Sequence, residues 1–173
     1  AAPAPESPPK SQNCSNLRSS LLSPPGLYPQ AGYKLVDAAV LAVRGDKDQR
    51  EYPWGDDWSE LKCNSSELGL GGTSPVGFFT SGASPYGCLD MVGNVWEWTS
   101  SLWGKDELEF KYPYKPGDAR ENLSASNDVR RVLRGCSWDD LRVDARCAYR
   151  FGNIPDYWYF TSGFRVVVSL AEF

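Results

Sequence analysis

The sequence predicts an α+β domain that is rich in irregular loops, with one or two helices and several short strands. Three observations carry this. Seven Trp, nine Tyr, seven Phe, sixteen Gly and thirteen Pro occur in 173 residues, a mix that favours short strands and shaped turns over long helices. Only one segment reads as a good helix: residues 33–43 (YKLVDAAVLAV) are dense in apolar residues and Ala, and Arg44-Gly45 closes them with a cation and a C′ glycine. Beyond it, apolar residues come in short runs separated by turn residues. A hydrophobic fraction of 41% supports a full core, and the length suits one domain.

Taken in order, residues 1–12 (AAPAPESPPKSQ) are too polar and Pro-rich to pack. They read as a flexible linker, either a tether to an upstream domain or a disordered terminus. The packed domain is assigned to residues 13–173. Residues 14–22 form a second, short helix candidate, stopped by Ser23-Pro24-Pro25-Gly26. Residues 52–55 (YPWG) are a turn. The glycine-rich stretch 69–72 lacks the GK[ST] that a phosphate cradle requires. Residues 95–99 (VWEWT) alternate as a strand does. The charged stretch 105–128 reads as a surface loop, and Val132-Leu133 and residues 164–168 (FRVVV) read as buried strands.

Several function classes are disfavoured. The net charge of −4 gives no overall basic footprint for nucleic acid or an anionic membrane surface. No apolar run approaches the roughly 20 residues of a membrane helix. There is no histidine, which removes histidine bases, Ser-His-Asp and Cys-His catalysis, and Cys/His zinc sites. Cys14, Cys63, Cys88, Cys136 and Cys147 are odd in number and contain no CxxC. They are read as buried free thiols. Location is left open between cell surface and cytoplasm.

Gly87, Gly93, Gly135 and Gly163 stand where a backbone must turn or approach closely. Trp96, Trp98 and Trp138 offer large buried areas. Asp90 and Glu97 share one loop-to-strand segment, where carboxylates accept loop N–H bonds or pair with Arg134 or Arg165. Most unusual is the stretch between Trp138 and Gly163. Tyr149, Phe151, Ile154, Tyr157, Trp158, Tyr159 and Phe160 crowd seven large apolar side chains into twelve positions. A strand would send half of Tyr157–Phe160 away from the core, and a loop would send more. Either these rings complete a loop-rich core, or they form an exposed surface of the kind that dominates interfaces.

The motifs YPWGDDW (52–58), GGTSPVG (71–77), SPYGCLDMVGNVWEWTSSLW (84–103), RVLRGCSWDD (131–140), RCAYR (146–150) and NIPD…SGFRVV (153–167) together resemble the formylglycine-generating (sulfatase-modifying) superfamily. That resemblance implies a C-type-lectin-like fold with a small, twisted, mostly antiparallel sheet. It also implies a structural calcium on the Asp90 side chain, the Gly93 and Val95 carbonyls and Glu97, as hard oxygen ligands suit that ion. No other cofactor is expected.

Two departures stand out. The family's usual opening helix signature is replaced by residues 35–40. The catalytic cysteine pair of the enzymes is absent: the first position aligns with Asp140, the second falls in a shortened stretch, Cys136 replaces a glycine, and Cys147 aligns with a non-catalytic position. The sequence therefore predicts a binding module and not an enzyme, with a thiol-dependent oxidase and a structural domain packed on a larger protein as the alternatives. In layout it resembles the variable proteins of diversity-generating retroelements, whose C-terminal positions between frame residues bind ligand. The resemblance implies a protein-binding surface made of Asp139, Asp140, Leu141, Val143, Asp144, Tyr149, Phe151, Gly152, Ile154, Tyr157, Trp158, Tyr159, Phe160, Thr161 and Ser162.

Overall fold

A computed structural model of the chain describes residues 50–104, 110, 119–157 and 159–166. The expected linker, both expected helices, most of the expected 105–128 loop, Trp158, Val167 and Val168 lie outside those residues. Among the described residues, regular structure consists of four strands and two short 3-10 turns, Glu60–Lys62 and Thr80–Gly82. The strands are β1 (Trp96–Leu102), β2 (Arg131–Arg134), β3 (Phe151–Asn153) and β4 (Ser162–Phe164), in the sheet order β3-β2-β1-β4. β1 with β2 and β2 with β3 are antiparallel, whereas β1 with β4 is parallel.

β1 begins where alternation predicts a strand but runs three residues past Thr99. Ser100 and Ser101 lie beyond the predicted strand, yet they and Thr99 are buried. Their polar atoms have partners: the Thr99 hydroxyl donates to the Val132 carbonyl at 3.0 Å, and Arg131 donates to the Ser100 carbonyl at 2.8 Å. Buried polar groups satisfied in this way cost little, so tertiary pairing extends the strand beyond its apolar signal. A register shift between Trp98 and Leu102 marks a bulge.

The sequence reading assigned no strand to Phe151–Asn153. These three residues pair with β2, Leu133 opposite Phe151 and Val132 opposite Gly152. A Cβ on Gly152 would lie 2.4 Å from the Trp103 ring. Packing against Trp103 thus leaves no room for a side chain at Gly152, which the sequence places in the ligand-binding surface. β4 also starts earlier than expected, at Ser162, and Arg165 follows it.

The core gathers Tyr52, Cys63, Val92, Trp96, Leu133, Cys136 and Ala145, with Trp54, Trp58, Trp98 and Tyr149 packed on it. The 52–58 motif folds its three rings together, Tyr52 stacking on Trp54 at 5.6 Å and tilting against Trp58 at 5.0 Å. Beside this core, backbones approach closely. A Cβ on Gly93, whose φ is +84°, would lie 2.5 Å from the Asn64 carbonyl oxygen. Gly93 donates to the Gly135 carbonyl at 2.7 Å. Asn94 takes the Ser74 amide on its side-chain oxygen at 2.8 Å, and its own carbonyl accepts the Trp138 amide at 3.1 Å. The Ser74 segment after the glycine-rich stretch, the β1 entry and the Trp138 turn are thus tied through one residue.

Strands β3 and β4 occupy opposite edges of the sheet. The segment between them, residues 154–161, therefore crosses the width of β2 and β1. It is fixed at its far end by Thr161, whose carbonyl accepts the Trp96 amide at 2.7 Å.

Candidate ligand-binding surface

The crossing segment begins and ends in turns. The Tyr157 amide donates to the Ile154 carbonyl at 3.0 Å, and the Ser162 amide donates to the Tyr159 carbonyl at 2.9 Å. With the backbone bonded to itself and to β1, the large side chains face outward: Phe160 is 60% exposed, Tyr157 52% and Tyr159 47%. Their rings form a ladder. Tyr157 and Tyr159 are 6.2 Å apart and nearly parallel, Tyr159 and Phe160 are 4.3 Å apart, and Phe160 reaches Trp138 at 5.8 Å. Trp138 was assigned to the frame, and its place at the foot of this ladder was not foreseen. The only available signal was its position directly before the changing stretch.

The other assigned residues divide. Leu141, Val143, Phe151 and Ile154 are exposed, as is Asp139. Tyr149 is half-buried and, like Phe151, packs on Trp96, at 5.9 Å and 5.8 Å. Burial, and then a hydrogen bond to Asp144, raise the Tyr149 phenol above its ordinary range. Asp140 folds back inside its turn, its carboxylate accepting the Ser137 amide at 3.0 Å and the Ser137 hydroxyl, while its carbonyl accepts the Ser66 amide. Thr161 is 5% exposed and Ser162 lies within β4. Asp140 and Thr161 thus help hold the surface in place, Asp140 by closing its turn and Thr161 by its burial, while Ser162 is partly buried in β4. Trp158 lies outside the described residues.

The positions assigned to calcium meet a different cation. Arg165 donates to both Glu97 carboxylate oxygens, at 2.7 Å to Oε1 and 2.9 Å to Oε2, and to the Leu89 and Asp90 carbonyls. The Asp90 carboxylate accepts the Gly77 amide, and the Gly93 carbonyl accepts the Val95 amide. Burial alone would lower the Arg165 guanidinium, but the Glu97 charge more than offsets it and holds it above its ordinary value. As arranged, this oxygen set fits a planar guanidinium and not a calcium shell.

The thiols are placed for packing. Cys63, Cys88, Cys136 and Cys147 are buried. Burial pushes Cys63 from its ordinary 9.0 up to about 12. Burial, with Cys63 nearby, also raises Cys136 well above its usual range. Neither holds the thiolate a nucleophile needs.

A family model described as a sulfatase-modifying factor enzyme 1-like domain matches residues 33–170. The chain belongs to that family. Its relatives include the inactive C-alpha-formylglycine-generating enzyme 2 of Bos taurus, 33% identical over 139 residues, covering 72% of this chain and 39% of the relative. They also include a formylglycine-generating enzyme of Thermomonospora curvata, 31% identical over 153 residues, covering 78% of this chain and 49% of the relative. The chain thus spans less than half the length of each. Members with and without activity share its pattern. Among solved structures, Treponema denticola variable protein 1 superposes with a TM-score of 0.57 at 23% identity, covering 74% of this chain and 44% of that one. That likeness shows the fold, the C-type-lectin-like α+β architecture that the family motifs imply.

Proposed function

We propose that this domain is a non-catalytic ligand-binding module, of the variable-protein kind found with diversity-generating retroelements, that presents the 157–160 aromatic surface to a protein ligand. The observation that carries the reading is the exposed ring ladder, Tyr157, Tyr159 and Phe160. Large apolar rings gathered on a surface are a binding device more often than an accident. Tyr in particular brings contact area at low entropy cost. The backbone beneath is held by hydrogen bonds that leave the ring identities free, so side chains are exchangeable over a fixed frame.

The test is a peptide-display selection against the 173-residue chain. Clones that bind the natural chain and fail to bind the Tyr157→Ala/Tyr159→Ala/Phe160→Ala variant support the surface. Clones that bind both equally, or no enrichment at all, refute it.

The similarity to a formylglycine-generating enzyme favours one competing reading, a thiol-dependent oxidase. It requires two reactive thiols and copper binding. Rapid alkylation of two cysteines in the native protein, together with tight copper binding, would replace the binding-module reading. The raised Cys63 and Cys136 thiols support the opposite result.

A further inference from the structure

Of the acidic side chains that border the ring ladder, some are spent internally and some are open. Asp140 is used by Ser137, and Asp144 by Tyr149. Asp139 and Asp156 differ. Asp139 follows Trp138, at one end of the ladder, and is exposed. Among the described residues its amide is bonded to the Ser137 hydroxyl, but its carboxylate has no hydrogen-bond or ion-pair partner. Asp156 precedes Tyr157, at the other end, and is exposed. Its Oδ1 accepts from Asn127 at 3.1 Å, which leaves Oδ2 open. Two under-used carboxylates thus belong to the residues next in sequence to the two end rings, Trp138 and Tyr157, of a row of four.

The arginines of the same stretch are directed elsewhere. Arg146 lies over the Tyr149 ring at 5.9 Å and donates to the Val143 carbonyl. Arg150 lies over Trp103 at 4.3 Å and donates to the Phe110 carbonyl. Arg142 exerts its charge on Tyr52 and Glu67, away from the ladder. Open carboxylates on residues adjoining exposed rings favour a cation, because both carboxylate charge and ring quadrupole attract one.

From this, and resting on the ligand-binding reading above, we propose that the ligand engages the surface through a cationic side chain, a guanidinium or ammonium carried on a protein loop. The rings hold its apolar stem and charged head, and Asp139 and Asp156 take its N–H donors. A guanidinium suits both contacts better than an ammonium, since it stacks and forks at once.

The probes are three blocked tripeptides, Ac-Ala-Arg-Ala-NH2, its citrulline counterpart of the same shape without charge, and Ac-Ala-Leu-Ala-NH2. Each is titrated into the 173-residue chain while the ring-proton resonances of Tyr157, Tyr159 and Phe160 are followed. The arginine peptide is expected to shift those resonances with a Kd in the roughly millimolar range of a single side-chain contact. Raising salt from about 0.05 M to about 0.5 M should weaken it about threefold. The citrulline peptide should bind at least about fivefold more weakly, and Asp139→Asn/Asp156→Asn should reduce the arginine preference by the same factor. Equal shifts by citrulline or leucine peptides overturn the cation and leave the binding surface standing. Shifts by none of the three, or only at resonances away from the ladder, overturn the cation as well. The display selection then shows separately whether the surface binds anything.

Discussion

The loop from Asp90 to Glu97 and the crossing segment over 154–161 are each eight residues long, and they solve opposite problems. In the first, Met91, Val92, Asn94, Val95 and Trp96 are buried, and the backbone takes positive φ at Asp90, Gly93 and Asn94. Its identity is fixed by close approach: Asn64 against Gly93, Ser74 against Asn94, Arg165 against Glu97. In the second, Ile154, Tyr157, Tyr159 and Phe160 point to solvent and Thr161 is buried. Here the bonds at Tyr157, Thr161 and Ser162 run through the backbone, and side chains enter only at Asn153 and Asp156 among the bonds described. A fold that keeps its specificity in one loop can leave another free for recognition.

The sharpest way to break that contrast is to add one methyl group to the rigid loop. Gly93→Ala places a Cβ against the Asn64 backbone at positive φ, and should destabilise the protein by about 3 kcal/mol or more, read by denaturant unfolding. An effect below about 1 kcal/mol would mean that the loop yields. Next in size is Arg165→Ala, which leaves the half-buried Glu97 without its partner and should cost about 2–4 kcal/mol. Because the guanidinium already serves as the cation, a chelator should leave Tm unchanged. A fall in Tm on chelation, restored by calcium, would reinstate the metal at Asp90 and Glu97.

Gly152→Ser tests the boundary between the two regions. It should cost about 1–3 kcal/mol, because the added atoms meet Trp103. A neutral result would return Gly152 to the exchangeable set. A pH series probes the core. Cys63 is raised in the folded state to about 12 from 9.0, so its neutral form is favoured by folding. Its contribution is fully present below pH 9 and is lost as pH rises through the 9-to-12 window. Stability should therefore decline above pH 9, and Cys63→Ala should flatten that slope. Smallest of all, Tyr157→Ala, Tyr159→Ala and Phe160→Ala should each change stability by no more than about 0.5–1 kcal/mol, the range for surface positions with a few ring contacts.

Much of the framework was legible because its signals are local. Alternation marked β1, the apolar Val132-Leu133 pair marked β2, and the density of rings after Pro155 raised an exposed surface as one of two readings, the one the exposure of Tyr157, Tyr159 and Phe160 favours. What escaped was set by partners distant in sequence. The strand runs on past Thr99 because Arg131, some thirty positions on, bonds the Ser100 carbonyl and pairs with Leu102. Gly152 became obligatory because of Trp103. Glu97 found Arg165, one of the two arginines considered, where the family motif suggested calcium. Asp140 and Thr161 looked exchangeable, since nothing adjacent reveals that one closes a turn and the other anchors β1. The segments expected to be helical fall outside the described residues.

The route of the crossing segment has a consequence for anyone wishing to build on this protein. Both of its ends are hydrogen-bonded into opposite edges of one sheet, a gap of three strand spacings, or roughly 14 Å. Its letters can change while its length stays put. A lost residue would pull on the β4 register, whereas exchanging Ile154, Tyr157, Tyr159 and Phe160 leaves both anchors untouched. If the binding reading proposed above holds, those four positions are a cassette for randomisation, one in which new specificities can be selected without re-solving the folding problem each time.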